Sequence, residues 1–245
     1  MSELPVVQDP GSLPRRSPLY RLHLATGASF RQVEDNAVPY LMASLPGDTA
    51  TARQLGLVDL CGLTKTGVKG PGAPAWLQQK RFQLPAEPNL AVLQPNGVLV
   101  ARLSFDEFLI LGDLKGQSSA FFDPEDIRLL DSAPQAYLLP RGDSHCWLGV
   151  VGAQASKMLV KLCAIDLGSE QFPDFVIAQT IIADISVIVI RHDLGLTPCF
   201  YLLADIASTE YLWEVLLDAM LEFVGGGVGL AALHTLLEQE PVSAM

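Results

Sequence analysis

Charge is scarce in this sequence: Asp, Glu, Lys and Arg make up 18% of its 245 residues, against about 25% in an average soluble domain. What charge there is leans one way, with 16 Lys and Arg against 27 Asp and Glu and a formal net charge of -11. The basic residues form no run, which argues against a nucleic-acid surface. No stretch reaches the ~20 continuous apolar residues of a membrane span. The most apolar one, Thr180 to Arg191, is interrupted by Asp184 and Ser186. The first residues, Met1 to Pro5, lack the basic start and apolar core of a secretory signal. Cysteine is sparse too. Cys61, Cys146, Cys163 and Cys199 are widely spaced with no CxxC pair, so they read as reduced core thiols rather than disulfides or zinc ligands. A cytoplasmic protein is the simplest expectation.

Catalytic signatures are missing as well. There is no GxSxG elbow, and no Ser or Cys stands in a recognised nucleophile setting. His145 and Cys146 are neighbours in a strand-like run; they point to opposite faces and cannot act together as base and nucleophile. His23, His145, His192 and His234 lie far apart in the chain, and none has a second ligand at helical or turn spacing. His192-Asp193 reads as a hydrogen-bonded turn at a strand end. Gly67 to Gly72 (GVKGPG) has neither GxGxxG nor P-loop spacing, and Pro71 removes an amide that a phosphate cradle would use. Gly225 to Gly229 follows a helix and reads as a flexible cap and linker. Asp106-Glu107 at a hairpin turn and Glu125-Asp126 near a helix start read as solvated or dipole-assisting acids. Trp76, Trp147 and Trp213 sit in apolar patterns and read as core. From the residues alone, no catalytic, cofactor-binding or metal-ligating residue emerges.

What is present is apolar pattern, 49% of the chain. With so little charge, either a large core or a buried subunit interface is implied. The organising stretch is Val58 to Leu77 (VDLCGLTKTGVKGPGAPAWL). Strand-like pieces at Val58-Asp59-Leu60 and Thr66-Gly67-Val68 break at Gly70-Pro71-Gly72 and give way to a helix carrying Ala73, Trp76 and Leu77. Pro71 is read as a first-turn proline. A weaker copy lies at Trp147 to Ala155. Aligning Val68 with Val150 places Gly70 on Gly152, Ala73 on Ala155, Trp76 on Met158 and Leu77 on Leu159, a strand–Gly–helix unit used twice.

Elsewhere, residues 1–18 are proline-rich and read as an extended arm, disordered or laid on a partner. Tyr20 to Leu24 reads as a strand that turns at Gly27, and a short helix over Thr49 to Leu55 ends at Gly56. Asn96-Gly97 introduces a hairpin of Val98–Leu103 and Phe108–Leu111. A short helix over Pro124 to Leu130 falls in the irregular region between the halves. The helix after Gly152 carries Ala155, Met158, Leu159 and Leu162 on one face. Thr180–Arg191 pairs with Pro198–Asp205 through Gly195. Ser208 caps a helix whose stripe is Leu212, Val215, Leu216, Ala219 and Phe223, and a last helix runs from Leu230 to Glu238. The class is α+β with antiparallel sheets.

Val58–Leu77 resembles the early region of the glycine-cleavage T-protein (aminomethyltransferase) superfamily, where a strand ending in V-x-G-P-x-A leads into a helix. The second copy and Val228–Leu233 (VGLAAL) are similar in order and spacing. Five runs further resemble the gamma subunits of heterotetrameric sarcosine oxidase and N-methylglutamate dehydrogenase. These are Asp143–Trp147, Lys161–Leu167, Ala178–Thr180, Tyr201–Asp205 and Glu210–Trp213. The likeness covers roughly residues 18 to 238. It implies a T-protein-like fold of two pseudo-repeated lobes, 19–125 and 126–238, with the arm 1–18 before them and a tail 239–245 after. Folate-using relatives place an aspartate after the turn matching Asn96-Gly97, but Val98–Arg102 has no acid. The family's GYTGE loop corresponds to His192–Pro198, which lacks the glutamate, and its late arginine region to Leu233-His234-Thr235. Unpaired folate donors would cost about 1–3 kcal/mol each, so the folate site is expected to be absent. The resemblance thus implies a non-catalytic gamma-type subunit holding no cofactor itself. Its partners would be alpha, beta and delta subunits, with FAD, FMN, NAD and tetrahydrofolate held by the alpha and beta chains. The complex would oxidatively demethylate sarcosine or N-methylglutamate, passing the one-carbon unit to tetrahydrofolate. The alternatives are a stand-alone folate-dependent aminomethyltransferase and, behind it, a folate-binding iron–sulfur maintenance protein.

Overall fold

The computed structural model describes residues 4–117, 121 and 135–238. The expected helix at Pro124–Leu130, the Glu125-Asp126 pair, the junction at 125/126 and the tail 239–245 lie outside them.

The N-terminal stretch is extended, and it adds strands to its own chain. A four-stranded sheet has the order β1-β3-β4-β2, with β1 Val6–Val7, β2 Arg15–Arg16, β3 Ser29–Val33 and β4 Asn36–Leu41. Tyr20–Ala25, expected as a strand, is a helix, α1. Alternation would have put Leu22 and Leu24 on a buried face. Instead Leu24 is exposed and His23 is fully buried, drawn in by the Asp59 carboxylate 2.9 Å from its Nε2. Ser17 starts the turn, its carbonyl accepting from the Tyr20 amide and its hydroxyl from the Leu19 amide. α2 (Leu45–Leu55) begins earlier than expected, because Ser44 caps it and a proline fits its first turn.

Two larger sheets form the body. The five-stranded one has the order β10-β6-β9-β8-β7 and the six-stranded one β12-β13-β14-β11-β5-β15. Their strands are β5 Gly56–Asp59, β6 Lys65–Lys69, β7 Leu90–Leu93, β8 Leu99–Arg102 and β9 Glu107–Leu111. The others are β10 Tyr137–Pro140, β11 Leu148–Val151, β12 Ile177–Ile182, β13 Ile185–Arg191, β14 Cys199–Leu203 and β15 Gly226–Val228. Strand alternation distributes their side chains between layers. Cys199, Tyr201 and Leu203 of β14 join Leu99, Ala101, Leu109 and Leu111 of β8 and β9 in a shared core. Phe200 and Leu202 face the other way, into a core with Met158, Leu212, Trp213 and Leu216. Val100, Phe108 and Ile110 likewise turn outward onto Ala73, Trp76 and Leu77. Sheets apolar on both faces explain why so little of the chain is charged.

The two strand–Gly–helix corners have matching geometry. Gly70 and Gly152 both take φ +123°, where a side chain is strained. At Gly70 the chain enters α3 (Ala73–Gln79) and at Gly152 it enters α4 (Ala155–Leu159). Pro71 precedes α3, so the first-turn proline is Pro74, and α4 stops short of Leu162. The pairing is reciprocal: β5 lies antiparallel beside β11, and β10 antiparallel beside β6.

Three other expectations are revised. Thr180–Arg191 spans two strands, joined by Ala183 and Asp184 with φ of 49° and 63°, as in a type I′ turn. Gly226–Val228 is no linker but β15, parallel to β5. Glycine is required beside it: a Cβ on Gly229 would stand 2.1 Å from the Tyr40 carbonyl oxygen. In the helix α5 (Thr209–Met220) Ser208 is the cap position but makes no side-chain bond, and Trp213 and Met220 join the buried stripe in place of Val215. The closing helix α6 (Leu230–Leu237) is as expected.

Candidate functional site

Three separated stretches converge on one cleft of about 560 Å³. The first is the β7–β8 turn, with Asn96 and Gly97. The second is the end of β9, with Asp113, Leu114 and Lys115. The third follows β13, with His192, Asp193 and Gly195; Leu237 of α6 completes the lining. Gly97 takes φ +83°, and a Cβ there would stand 3.0 Å from that of Asp113. The turn therefore packs directly on this aspartate.

The turn's support is polar and buried. Gln94 accepts from the Gln83 amide at 2.9 Å and donates to the Gln83 carbonyl at 3.0 Å, while the Gly97 amide closes onto the Gln94 carbonyl. Asp113 accepts from the Gln117 amide at 3.1 Å. His234, in the late region singled out by the resemblance, approaches the Leu114 carbonyl at 2.7 Å from Nε2. Two of the stretches singled out by the resemblance, Asn96-Gly97 and His192–Pro198, thus contribute to this cleft, and the third, Leu233-His234-Thr235, reaches it through His234 on the Leu114 carbonyl.

Its acids are engaged. Arg191 donates from Nε and Nη2 to the two oxygens of Asp193 at 2.9 and 2.8 Å, and from Nη1 to the Phe172 carbonyl. That hydrogen-bonded pair raises the Arg191 pKa above its ordinary value. Asp174 accepts from the Asp193 amide, so the loop is tied at both ends. His192 stacks beside Phe175 and meets Tyr201 edge-on. Burial holds its imidazole below the ordinary histidine range, against the pull of Asp174 and Asp193. Its Nδ1 is buried without a hydrogen-bond partner among the described residues. The expected hydrogen-bonded turn at His192-Asp193 is there, with the aspartate rather than the histidine as its hub.

Val98–Arg102 carries no acid, but Asp113 comes from the neighbouring strand. β8 pairs with β9 as Leu99 opposite Leu111, and two steps further along the same register Gly97 falls opposite Asp113. The expected hairpin, extended by its own register, would have found this carboxylate.

The remaining sequence candidates lie elsewhere. Cys146 is buried in core while His145, one residue back, bonds Ser144 at 2.9 Å and Arg141 at 3.1 Å. Burial and then the Arg141 charge keep His145 below its usual range. All four cysteines are free and buried. Glu107, expected to be solvated, is clamped by Lys69 at 2.7 Å and Arg141 at 2.8 Å. The Gly70 corner holds backbone, not phosphate: a Cβ there would stand 2.0 Å from the Gln135 carbonyl oxygen. Trp147 and Trp213 are core, at 0% and 1% exposure. Among the described residues no group of three or more His, Cys, Asp or Glu could hold a metal ion, and no helix is long and apolar enough to cross a membrane.

A cleft rimmed by the turns of two facing sheets defines the class, an α+β sandwich with its polar groups gathered at one end. The particular architecture is that of the T-protein-like proteins. A chain of the heterotetrameric sarcosine oxidase from Corynebacterium sp. U-96 is 24% identical, with a TM-score of 0.62 over 85% of this chain and 96% of that one. The glycine cleavage system aminomethyltransferase T from Bartonella henselae is 17% identical, with a TM-score of 0.66 over 91% of this chain. This chain spans only 62% of that aminomethyltransferase's length. Likeness at these identities shows the fold alone. No protein-family model and no curated protein matches the chain.

Proposed function

We propose that this chain is a non-catalytic, gamma-type subunit of a heterotetrameric, flavin-dependent oxidase or dehydrogenase of N-methyl amino acids. The carrying observation is one of extent: the likeness covers 96% of the sarcosine oxidase chain but 62% of the aminomethyltransferase. Two features support it. The cleft's Asp193 is spent on Arg191, and Phe105, Leu196, Leu221 and Val224 stand between 70% and 87% exposed, as apolar contacts for larger chains. Its partners would be alpha, beta and delta subunits, the alpha and beta chains holding FAD, FMN, NAD and tetrahydrofolate, with sarcosine or N-methylglutamate as substrate. Within the chain, the matching Gly70 and Gly152 corners and the reciprocal strand pairing support reading 19–125 and 126–238 as duplicated lobes.

The test is affinity purification of the tagged chain from its native cell, followed by a visible spectrum. Larger chains with flavin absorbance are expected; a monomer that captures no flavoprotein refutes the reading.

A second reading, a stand-alone folate-dependent aminomethyltransferase, draws on the Asp113 carboxylate beside Gly97 and the unpartnered His192 Nδ1 in the same cleft. Titration calorimetry of the isolated chain with tetrahydrofolate separates the two. Saturable binding with a micromolar constant favours the transferase, and its absence the subunit.

A further inference from the structure

Lys65 is only 5% exposed, yet it takes part in none of the ion pairs among the described residues. Its Nζ donates to one acceptor, the Cys61 carbonyl at 2.8 Å. An ammonium has three N–H donors, so two remain to be matched. A buried charge in that condition is unfavourable unless something compensates it. Burial accordingly lowers the Lys65 pKa, against the opposing pull of the Asp59 and Asp143 carboxylates.

The lysine lines a pocket of about 390 Å³, together with Arg15, Arg16, Glu34, Thr64 and Asp143. Arg15 is taken up by Asp143, and Glu34 accepts from the Thr64 hydroxyl. Arg16 uses Nη1 on the Gly11 and Leu13 carbonyls, which leaves other guanidinium donors at the rim. The lining thus carries three cations and two carboxylates, in a chain whose net charge is -11.

We propose that this pocket binds a small monocarboxylate, its oxygens accepting from the Lys65 ammonium at the floor and the Arg16 guanidinium at the rim. One negative charge balances the surplus among the lining side chains. A dianion such as phosphate would bring a second charge against Glu34 and Asp143, so the pocket discriminates by charge as well as size. The assignment stands apart from the subunit reading and from the cleft at Asp113.

The full chain is titrated with sodium propionate in calorimetry and in thermal melts, against sodium chloride and sodium phosphate at equal ionic strength. Saturable propionate binding is expected, weakened about tenfold or more in Lys65→Met. Should Lys65→Met fail to fold, Arg16→Gln, an exposed rim change, weakens binding by a smaller factor. Propionate indistinguishable from chloride, phosphate binding more tightly than propionate, or unaltered binding in a folded Lys65→Met protein each overturns the proposal. The last would leave Lys65 as a clasp on the Cys61 carbonyl and nothing more.

Discussion

The Gly152 corner offers the sharpest test of how the end of β11 is fitted to the end of α2. Its φ of +123° lies where L side chains are strained, at a cost of about 1–3 kcal/mol. A Cβ would also stand 2.6 Å from both the carbonyl carbon and the oxygen of Gln54, and 2.8 Å from the Ala52 oxygen. These are backbone atoms at the end of α2, so relief requires moving the helix, at roughly another 1–3 kcal/mol. The movement has a second effect. The Ala153 and Gln154 amides donate to the Arg53 and Gln54 carbonyls at 2.9 and 3.0 Å, satisfying acceptors that a helix C-terminus leaves open. Gly152→Ala should therefore cost about 2–6 kcal/mol, a fall in Tm of roughly 5–20 °C for a chain of this size. Gly226→Ala is the control, since nothing lies within 4 Å of a Cβ there. Both are measured by near-UV circular dichroism melts. If Gly152→Ala melts within about 2 °C of Gly226→Ala, the steric reasoning is wrong.

Other outcomes follow from buried polar groups. Asp48, 3% exposed, accepts from the amides of Met42, Ala43 and Gly229 at 2.7, 3.1 and 3.0 Å. Asp48→Ala leaves those donors unmatched and should cost about 2–4 kcal/mol in urea unfolding. Arg191→Met strips Asp193 of its partner, with an expected loss of about 2–4 kcal/mol, while Arg191→Lys should recover only part of the bidentate contact. For Asp59, burial opposes the charge, but the hydrogen bond and charge of His23 outweigh it and hold the carboxyl below its ordinary range. The folded pKa is depressed, so this stabilisation is complete above the unfolded value of ~3.9 and is lost as pH falls through the folded value. Asp59→Asn should flatten the acid limb of a Tm-against-pH curve. An unaltered slope there would show that the pair does not govern acid unfolding.

The regular elements legible in the sequence were those whose local signals agree with their place in the fold. The Val98–Leu111 hairpin has two alternating strands about a short polar turn, and the Asn96-Gly97 dipeptide marks where it begins. Leu212, Leu216 and Ala219 repeat at helical spacing, and the Gly70 and Gly152 corners mark themselves by spacing alone. Elements set by distant partners were not legible. Tyr20–Ala25 alternates like a strand, but a fully buried hydrogen bond from His23 to Asp59, far along the chain, goes with a helix. Ala183-Asp184 lacks the Asn-Gly chemistry that announces a two-residue turn, so one long strand was the natural reading. The glycines after Phe223 look like a linker because their pairing with β5 is parallel and remote. The cleft was half visible. Two of its three stretches, at Asn96-Gly97 and His192–Pro198, could be named from the resemblance, but the one at Asp113 enters beyond the adjacent strand, which reading forward along one strand cannot reveal.

The position of β5 bears on how the chain is made. Both of its neighbours, β11 and β15, lie downstream of it. During synthesis from the N-terminus, an apolar strand with two open edges must wait for residues 148–151 before either edge is covered, and for 226–228 before both are. Release from the ribosome before that point should leave a sticky intermediate, and premature termination within the final third should send the product into inclusion bodies.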